Sequence, residues 1–347
     1  MRVAIATVRV PFLSGGAEVL ADGLLRHLRK RGLQADLLSI PFKWYPPECL
    51  SDSMFAGRLL DLTETNGKPI DRLITLKFPA YYAPHPNKTL WLLHQHRQAY
   101  DLYDTPHGDL HHCAVGQNVA REIKRWDNAL LPEHQSLYTI SGKVSDRLRS
   151  FNNLSSEPLY PPPAEPESFY NRDAEPYILA PGRFDSLKRQ MSAIEAMVQV
   201  PEGLRLVFIG PDDGEYADSC RRRIVELDLE NRVEILGIVD DEKKVDLYAR
   251  CLALYNGVYD EDYGYVTIEG FLSSKPVVAF TDSGGPLEFI QSGENGIVVP
   301  PESEPLSQAF SSLCEDYSQA ARMGRAGRSS LEEKGIDWET VIDRLLS

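Results

Sequence analysis

The stretch that decides the fold is Glu261-Asp262-Tyr263-Gly264-Tyr265-Val266-Thr267-Ile268-Glu269-Gly270, in which two glutamates stand eight positions apart. The preceding run LALYNGVY is apolar enough for a buried strand, and VTIEGFLSSKPVVAF reads as a short helix followed by another strand. Glu261 is therefore predicted at the carboxyl end of a strand, and Glu269 about two turns along the helix. Open α/β sheets bind ligands at this edge, where free helix N–H groups favour a phosphate. Two acceptors around a phosphate site suit a nucleotide sugar.

Length and charge narrow the class of protein. The chain has 347 residues, a length that predicts two domains. Its formal net charge of −14 disfavours nucleic acid as a partner. No apolar run reaches the length of a membrane span, and MRVAIATVRVPF reads as a strand and not as a signal peptide. The five cysteines are scattered without metal-site spacing. These features predict a cytoplasmic enzyme without disulfides, with at most peripheral association at the inner face of the plasma membrane.

Strand and helix patterns alternate along the chain, which predicts a doubly wound α/β architecture. MRVAIATVRV predicts the first strand and AEVLADGLLRHLRKRG the first helix, and later short apolar runs, HCAVG among them, supply further elements. The pattern breaks at SSEPLYPPPAEPESF, residues 155–169, where prolines block regular structure. We interpret this segment as a linker between two domains.

Two further motifs are suited to binding a phosphate-containing ligand. Arg183 and Lys188 follow the predicted strand YILAPG, and two cations at the carboxyl end of a strand can neutralise a departing diphosphate. Gly15 and Gly16 separate the first strand from the first helix, where glycine permits close backbone approach and the helix supplies N–H donors. Taken alone, the cation pair is more typical of a solvated loop and the glycine pair of a simple turn.

Taken together, the motifs resemble those of the retaining glycosyltransferases of family four, also called glycosyl transferases group 1. Their signatures are E-x7-E, matched at Glu261 and Glu269, G-R-x4-K, matched from Gly182 to Lys188, and an opening G-G-A-E. The resemblance implies the α/β fold called GT-B, two Rossmann-like domains facing each other across a cleft. It divides the chain into an acceptor-side domain, 1–160, a nucleotide-sugar-binding domain, 161–332, and a helix, 333–347, crossing back onto the first domain. Arg189 departs from the family, which usually has glycine there.

The resemblance also implies a function. It predicts a retaining hexosyltransferase of polysaccharide or cell-envelope biosynthesis, with GDP-mannose or a UDP-hexose as donor and a glycan or lipid-linked saccharide as acceptor. Arg183 and Lys188 would hold the diphosphate, Glu261 the donor sugar and Glu269 the ribose. The full predicted donor site comprises Gly15, Gly16, Arg183, Lys188, Glu261, Tyr263, Gly264, Tyr265, Val266 and Glu269. No cofactor and no metal are expected, and Asp260-Glu261-Asp262 is not interpreted as a metal motif.

The acceptor side is predicted in the first half, where seven of the eight histidines lie between His85 and His134. The strand KTLWLLH delivers His94 to a loop, and members of the family often place a catalytic histidine there, next to the donor sugar. His96, Arg97 and Tyr100 are further acceptor-side candidates, since aromatic rings suit the apolar faces of sugars. These histidines match no standard zinc spacing.

Other functions remain open at this point. A sugar-nucleotide epimerase of the same fold would use the same donor residues, and a non-catalytic nucleotide-sugar-binding subunit would keep the fold without turnover. The presence of both cations and both glutamates argues against the binding subunit. A NAD-dependent dehydrogenase is disfavoured because the glycines do not form G-x-G-x-x-G. Neither the sugar, the nucleobase nor the acceptor follows from the residues.

Overall fold

The structure is a computed structural model that describes residues 1–12 and 15–347. It divides into two compact units, one formed by Met1–Ala164 with Ile336–Ser347 and the other by Glu165–Gly335. No helix within the described residues is long and apolar enough to cross a membrane.

Short apolar runs form the longer strands, and most of their side chains are buried, whereas three two-residue strands are polar and largely exposed. In chain order they are β1 (Arg2–Arg9), β2 (Gln34–Pro41), β3 (Glu64–Thr65), β4 (Lys68–Pro69), β5 (Arg72–Thr75), β6 (Lys88–Leu92), β7 (Ser136–Thr139), β8 (Glu157–Pro158), β9 (Tyr177–Pro181), β10 (Arg205–Ile209), β11 (Val233–Ile235), β12 (Ala253–Tyr255), β13 (Val277–Phe280) and β14 (Gly296–Val299).

Most helices alternate with these strands, the last three follow one another, and each helix buries one apolar face. They are α1 (Gly16–Lys30), α2 (Glu48–Leu59), α3 (Ala114–Leu130), α4 (Gly142–Asn152), α5 (Gln190–Ala196), α6 (Glu215–Glu226), α7 (Asp241–Arg250), α8 (Tyr265–Leu272), α9 (Ser303–Glu315), α10 (Tyr317–Lys334) and α11 (Trp338–Leu346). Short 3₁₀ turns follow several strands, among them Ala80–Tyr82, Arg97–Ala99 and Ser186–Lys188.

The first unit is built on a parallel sheet in the order β2-β1-β5-β6-β7-β8, six-stranded within the described residues. The final helix, α11, belongs to this unit. Trp338 of α11 stacks on His27 of α1 at 4.9 Å, and its indole N–H donates to the Pro163 carbonyl at 2.9 Å. This buried aromatic contact, with a satisfied indole donor, fixes the end of the chain to α1.

Two segments of the first unit differ from the sequence-based predictions. Residues 157–158, predicted as part of an irregular linker, form β8 and pair with Tyr138 and Thr139 of β7. Proline is tolerated there because β8 is an edge strand, whose outer side needs no N–H donor. The run HCAVG is no strand, since Cys113 is the N-cap of α3 and its Sγ accepts from the Gly116 N–H at 3.4 Å.

The second unit carries a parallel sheet in the order β11-β10-β9-β12-β13-β14, also six-stranded among the described residues. Its core is continuous across the sheet, and Ile178, Phe208 and Phe310 are fully buried in it. Strand order reverses between β9 and β12, which lie side by side while their connections leave toward opposite edges of the sheet. In doubly wound sheets a crevice opens outside the carboxyl ends of two such strands, and ligands bind there.

Candidate functional site

The predicted donor residues of the second unit meet at this point of reversal. β9 ends at Pro181 and leads to Arg183 and Lys188, and β12 ends at Tyr255 and leads to Glu261. Because β9 and β12 are parallel neighbours, both loops leave the sheet at the same edge. The Tyr259 N–H donates to the Leu187 carbonyl at 2.7 Å, which joins the two loops directly.

Lys188 and Glu261 form an ion pair at the centre of this edge. The Lys188 ammonium donates to a Glu261 carboxylate oxygen, and the two side chains are 29% and 30% exposed. Lys188 ends a 3₁₀ turn whose start is capped by Asp185, because the Asp185 carboxylate accepts from the Leu187 N–H at 2.9 Å. The backbone is therefore held independently of the lysine side chain, which stays open to solvent on one side.

Arg183 lies beside this pair in a more exposed position. Its side chain is 67% exposed, and its guanidinium lies 3.3 Å from the Asp185 carboxylate. Its carbonyl accepts from the Gln190 side-chain amide at 2.9 Å, which fixes the backbone while the guanidinium points to solvent. Arg183 and Lys188 thus supply two cations, five positions apart in sequence, at one edge of the sheet.

A glycine loop packs directly behind Glu261. The Glu261 N–H donates to the Ser283 carbonyl at 3.0 Å, and its carbonyl accepts from the Gly285 N–H at 2.8 Å. Gly284 has φ +76°, and a Cβ there would lie 2.6 Å from the Glu261 carbonyl oxygen. Only glycine fits so close an approach in this conformation. The loop that follows β13 therefore fixes where Glu261 leaves the sheet.

The turn from Glu261 into α8 is shaped by Gly264 at φ +92°, where a Cβ would lie 2.5 Å from Cγ of Pro286. Tyr263 is buried edge-to-face against Tyr265 (5.1 Å) and Phe289 (5.5 Å). Tyr265 and Val266 open α8, so their N–H groups have no acceptor within the helix. The Tyr265 hydroxyl is buried without a hydrogen-bond partner among the described residues, and burial raises its pKa.

Glu269 lies one turn into α8, not two, and it is buried. Its carboxylate accepts from the Lys244 ammonium at 2.6 Å and from the Tyr248 hydroxyl at 2.7 Å. The sequence analysis missed both partners, although Lys244 and Tyr248 stand four apart and therefore share one face of α7. A ligand hydroxyl would have to bind this carboxylate in addition to them.

Arg189, which replaces the usual glycine, adopts the left-handed conformation with φ +52°. Its guanidinium makes two 2.7 Å hydrogen bonds to the Asp282 carboxylate and lies 5.0 Å from the Tyr259 ring. These hydrogen bonds raise its pKa. The turn expected of glycine is therefore kept, and the arginine side chain ties it to the loop after β13.

In the first unit, Gly15 and Gly16 stand where predicted, between β1 and α1. Gly15 is the N-cap of α1 and Gly16 its first residue. The Gly15 N–H donates to the Glu18 carboxylate at 2.9 Å, half of a capping box, and this acid also suits the positive end of the helix dipole. A Cβ on Gly15 would come no closer than 3.7 Å to that carboxylate, so the position is open.

The acceptor-side candidates follow β6 on one short loop of the same unit. Burial lowers the pKa of His94 to about 3, so the ring is neutral, and its Nδ1 donates to the Gln95 carbonyl at 2.6 Å. Nε2 of His94 therefore carries a lone pair. His96 packs 5.0 Å from the Phe78 ring, burial lowers its pKa to about 3, and its Nε2 has no hydrogen-bond partner among the described residues.

Arg97 and Tyr100 are held by acids that the sequence analysis did not identify. Arg97 pairs with Asp101 at 2.7 Å, and Tyr100 donates to the buried Asp127 at 2.7 Å. The part of the chain that the structure describes contains no cluster of three or more His, Cys, Asp or Glu side chains placed to hold a metal ion.

Residues 163–330 match the family model of the glycosyl transferases group 1. The matched segment spans nearly all of the second unit, Glu165–Gly335. An alpha-1,3/1,6-mannosyltransferase of Dictyostelium discoideum is 25% identical over 292 residues, which cover 77% of this chain and 69% of that relative. A lipopolysaccharide core biosynthesis glycosyltransferase of Rhizobium meliloti is 30% identical over 161 residues, 45% of this chain and 44% of that relative.

A solved structure confirms the predicted fold. The structure of HepE from Anabaena in complex with UDP-glucose superposes with a TM-score of 0.74 at 18% sequence identity, and the match covers 100% of this chain and 98% of that one. The predicted GT-B fold of two Rossmann-like domains is confirmed, as is the assignment to glycosyltransferases of glycan biosynthesis. The epimerase and binding-subunit alternatives gain no support from these relatives.

Proposed function

We propose that this chain is a group 1 glycosyltransferase that transfers a hexose from a nucleoside-diphosphate sugar to a glycan or lipid-linked saccharide, with retention and without a divalent metal. The observation that carries the proposal is the meeting of Arg183, Lys188 and Glu261 at the reversal point of the second sheet. Two cations and a carboxylate at that edge match a ligand with a diphosphate beside a hydroxyl-bearing ring.

The relatives support a hexose donor but differ in its identity. The Dictyostelium relative is a mannosyltransferase, and the Anabaena structure holds UDP-glucose. In this chain the loops after β10 and β11 join at the same edge, since the Gly210 N–H donates to the Gly237 carbonyl at 2.8 Å. We assign the nucleobase to these backbone-rich loops. Gly210, Pro211 and residues 237–239 at the ends of these strands carry no polar side chain that could select the base, so GDP-mannose and UDP-hexoses are both candidates.

The chemistry assigned to the donor side is charge neutralisation. As the bond between the anomeric carbon and the phosphate oxygen breaks, negative charge grows on the diphosphate, and Lys188 and Arg183 stabilise it. The N–H groups at the start of α8 add to this stabilisation. Cationic side chains can thus take the part that a divalent ion plays in other transferases.

Retention follows if the acceptor hydroxyl attacks the face that the diphosphate leaves. The departing phosphate oxygen then takes the hydroxyl proton, and the new bond forms on that face. Glu261 accepts hydrogen bonds from the hexose hydroxyls, and its ion pair with Lys188 keeps the carboxylate next to the cation assigned to the diphosphate. On the acceptor side, the lone pair on Nε2 of the neutral His94 accepts a hydrogen bond from a sugar hydroxyl.

The test is product stereochemistry. GDP-mannose and UDP-glucose, each α-linked, are offered with methyl hexosides as acceptors in excess chelator, and the anomeric proton of the product is observed by NMR. An α-linked product supports retention without metal, and a β-linked product contradicts the mechanism. Activity that chelator abolishes and magnesium or manganese restores contradicts metal independence alone. Epimerised nucleotide sugar formed without acceptor identifies an epimerase instead.

A further inference from the structure

A buried carboxylate lies beneath the acceptor-side loop of the first unit. Asp127 of α3 is fully buried, and three tyrosine hydroxyls donate to it. Tyr81 and Tyr82 donate to Oδ1 at 2.9 and 2.6 Å, and Tyr100 donates to Oδ2 at 2.7 Å. Each carboxylate oxygen is therefore occupied, and the two oxygens serve different segments of the chain.

Tyr100 is also linked to the last turn of α4. Asn152 donates through Nδ2 to the Tyr100 hydroxyl at 3.3 Å, and its Oδ1 accepts from the side-chain amide of Gln95. Gln95 is 3% exposed and stands between His94 and His96. Tyr100 is thus tied directly to the carboxylate of Asp127, and Gln95 is tied to it through Asn152 and the Tyr100 hydroxyl.

Apolar side chains in place of Asp127 would fill this part of the core at a lower free-energy cost than a buried carboxylate. Taking a carboxylate out of water costs several kcal/mol, and hydrogen bonds from neutral hydroxyls offset only part of that. Burial raises the pKa of Asp127 to about 6, against the lowering by its tyrosine partners. Buried polar networks of this kind can instead fix one arrangement of the segments that they join.

We propose that Asp127 is a positioning residue for the acceptor side, orienting the segment 94–100 through Tyr100 and Asn152. The inference rests on the proposed function, in which His94 of this segment contacts a sugar. Asp127 touches no substrate in this scheme. It sets the direction of the Tyr100 hydroxyl, and Asn152 then holds Gln95, whose carbonyl accepts from His94 Nδ1. The His94 ring therefore keeps its Nε2 lone pair aimed at one place.

The decisive variants are Asp127→Asn and Tyr100→Phe, with Tyr81→Phe as matched control. Tyr81→Phe removes a hydroxyl from the same carboxylate but leaves the link to residues 94–100 intact. Asp127→Asn keeps an acceptor for Tyr81 and Tyr82 and turns an amide NH₂ toward the Tyr100 hydroxyl, which already accepts from Asn152. Tyr100→Phe keeps the inference testable if Asp127→Asn does not fold.

Three measurements decide the outcome. Amide hydrogen exchange by mass spectrometry should speed up in residues 94–103 for both decisive variants and stay unchanged there for Tyr81→Phe. Hexose transfer from GDP-mannose or UDP-glucose to a methyl hexoside should fall about tenfold to a hundredfold, the cost of small misplacement in an active site. Binding of UDP or GDP by calorimetry should stay at the wild-type level.

Normal transfer in Asp127→Asn and Tyr100→Phe overturns the inference. So does a loss of transfer in all three variants that simply follows their loss of thermal stability, because that is the result of a structural role alone. His94→Ala separates the two proposals. If His94→Ala transfers normally, the assignment of this loop fails with the proposed function. If it is inactive while Asp127→Asn is normal, only the positioning role fails.

Discussion

The replacement of Lys188 by alanine separates stability from turnover more sharply than other changes at the site. In the structure the ammonium pairs with Glu261, and both side chains are close to one-third exposed. Pairs with such exposure contribute about 0.2–1 kcal/mol to folding, because solvent screens them. The backbone around Lys188 is held by Asp185, whose carboxylate caps the turn. Lys188→Ala should therefore lower the free energy of unfolding by less than about 1 kcal/mol.

The expected effect on turnover is larger, because the cation acts on charge that develops only as the diphosphate leaves. Removing one such preorganised contact costs about a hundredfold to a thousandfold in kcat, or about 2.7–4 kcal/mol. The assay is hexose transfer with the donor at saturation, together with urea denaturation of the same preparation. Lys243→Ala is the matched control, since Lys243 is an exposed lysine on α7 of the same unit.

The double variant Lys188→Ala with Glu261→Ala completes the test. If both residues act on the same bound donor, their effects on kcat should not add, because residues that work as a unit are non-additive. The assignment is refuted by a folded Lys188→Ala protein that keeps turnover within threefold of wild type, roughly 0.6 kcal/mol. A large loss of stability with normal turnover would show instead that the ion pair serves folding.

Two further predictions follow from the buried carboxylates. Tyr248→Phe should lower the free energy of unfolding by about 1.5–3 kcal/mol, since it removes a donor from the buried Glu269. Urea denaturation measures this against Tyr317→Phe, an exposed tyrosine, and equal values for the two variants would contradict it. Burial raises the pKa of Asp127 in the folded protein to about 6, above its ordinary value of 3.8, so folding favours the protonated form. The free energy of unfolding gains its full contribution from this group below about pH 4 and loses it as the pH rises to about 6. Asp127→Asn should remove about 3 kcal/mol of that pH dependence, while the exposed Asp104→Asn should leave it unchanged.

The sequence alone led correctly to the fold because its signals are local. Each strand of the second sheet is an apolar run. Because the sheet is parallel, the loops that follow β9 and β12 must lie at its carboxyl edge. The linker prediction was wrong at Glu157–Pro158, because pairing of this segment with β7 depends on the tertiary fold. Proline excludes a central strand but not an edge strand, and only the fold decides which of these a segment becomes.

The partners of the candidate site residues could not be predicted in the same way. Tyr100 and Asp127 are 27 residues apart, and Arg189 and Asp282 are 93 apart. No periodicity of 2 or 3.6 residues links such positions. The pair that did leave a signal is Lys244 and Tyr248, which share a helix face, but nothing in the pattern points from that face to Glu269 of α8.

Arg189 shows how one departure from a motif can be accommodated by a distant residue. A non-glycine residue in the left-handed region costs about 1–2 kcal/mol, which is why glycine is usual at such a turn. Here two hydrogen bonds to the Asp282 carboxylate, at 2.7 Å each, and contact with the Tyr259 ring offset that cost. Hydrogen bonds to charged groups contribute about 1.5–3 kcal/mol when little exposed, and less when solvent screens them. Asp282 also accepts, through its carbonyl, from the Asp260 N–H at 2.9 Å. The arginine therefore joins the turn that carries Lys188 to the loop that carries Glu261, so the residue that strains the backbone also couples the proposed diphosphate-binding and sugar-binding parts of the donor site.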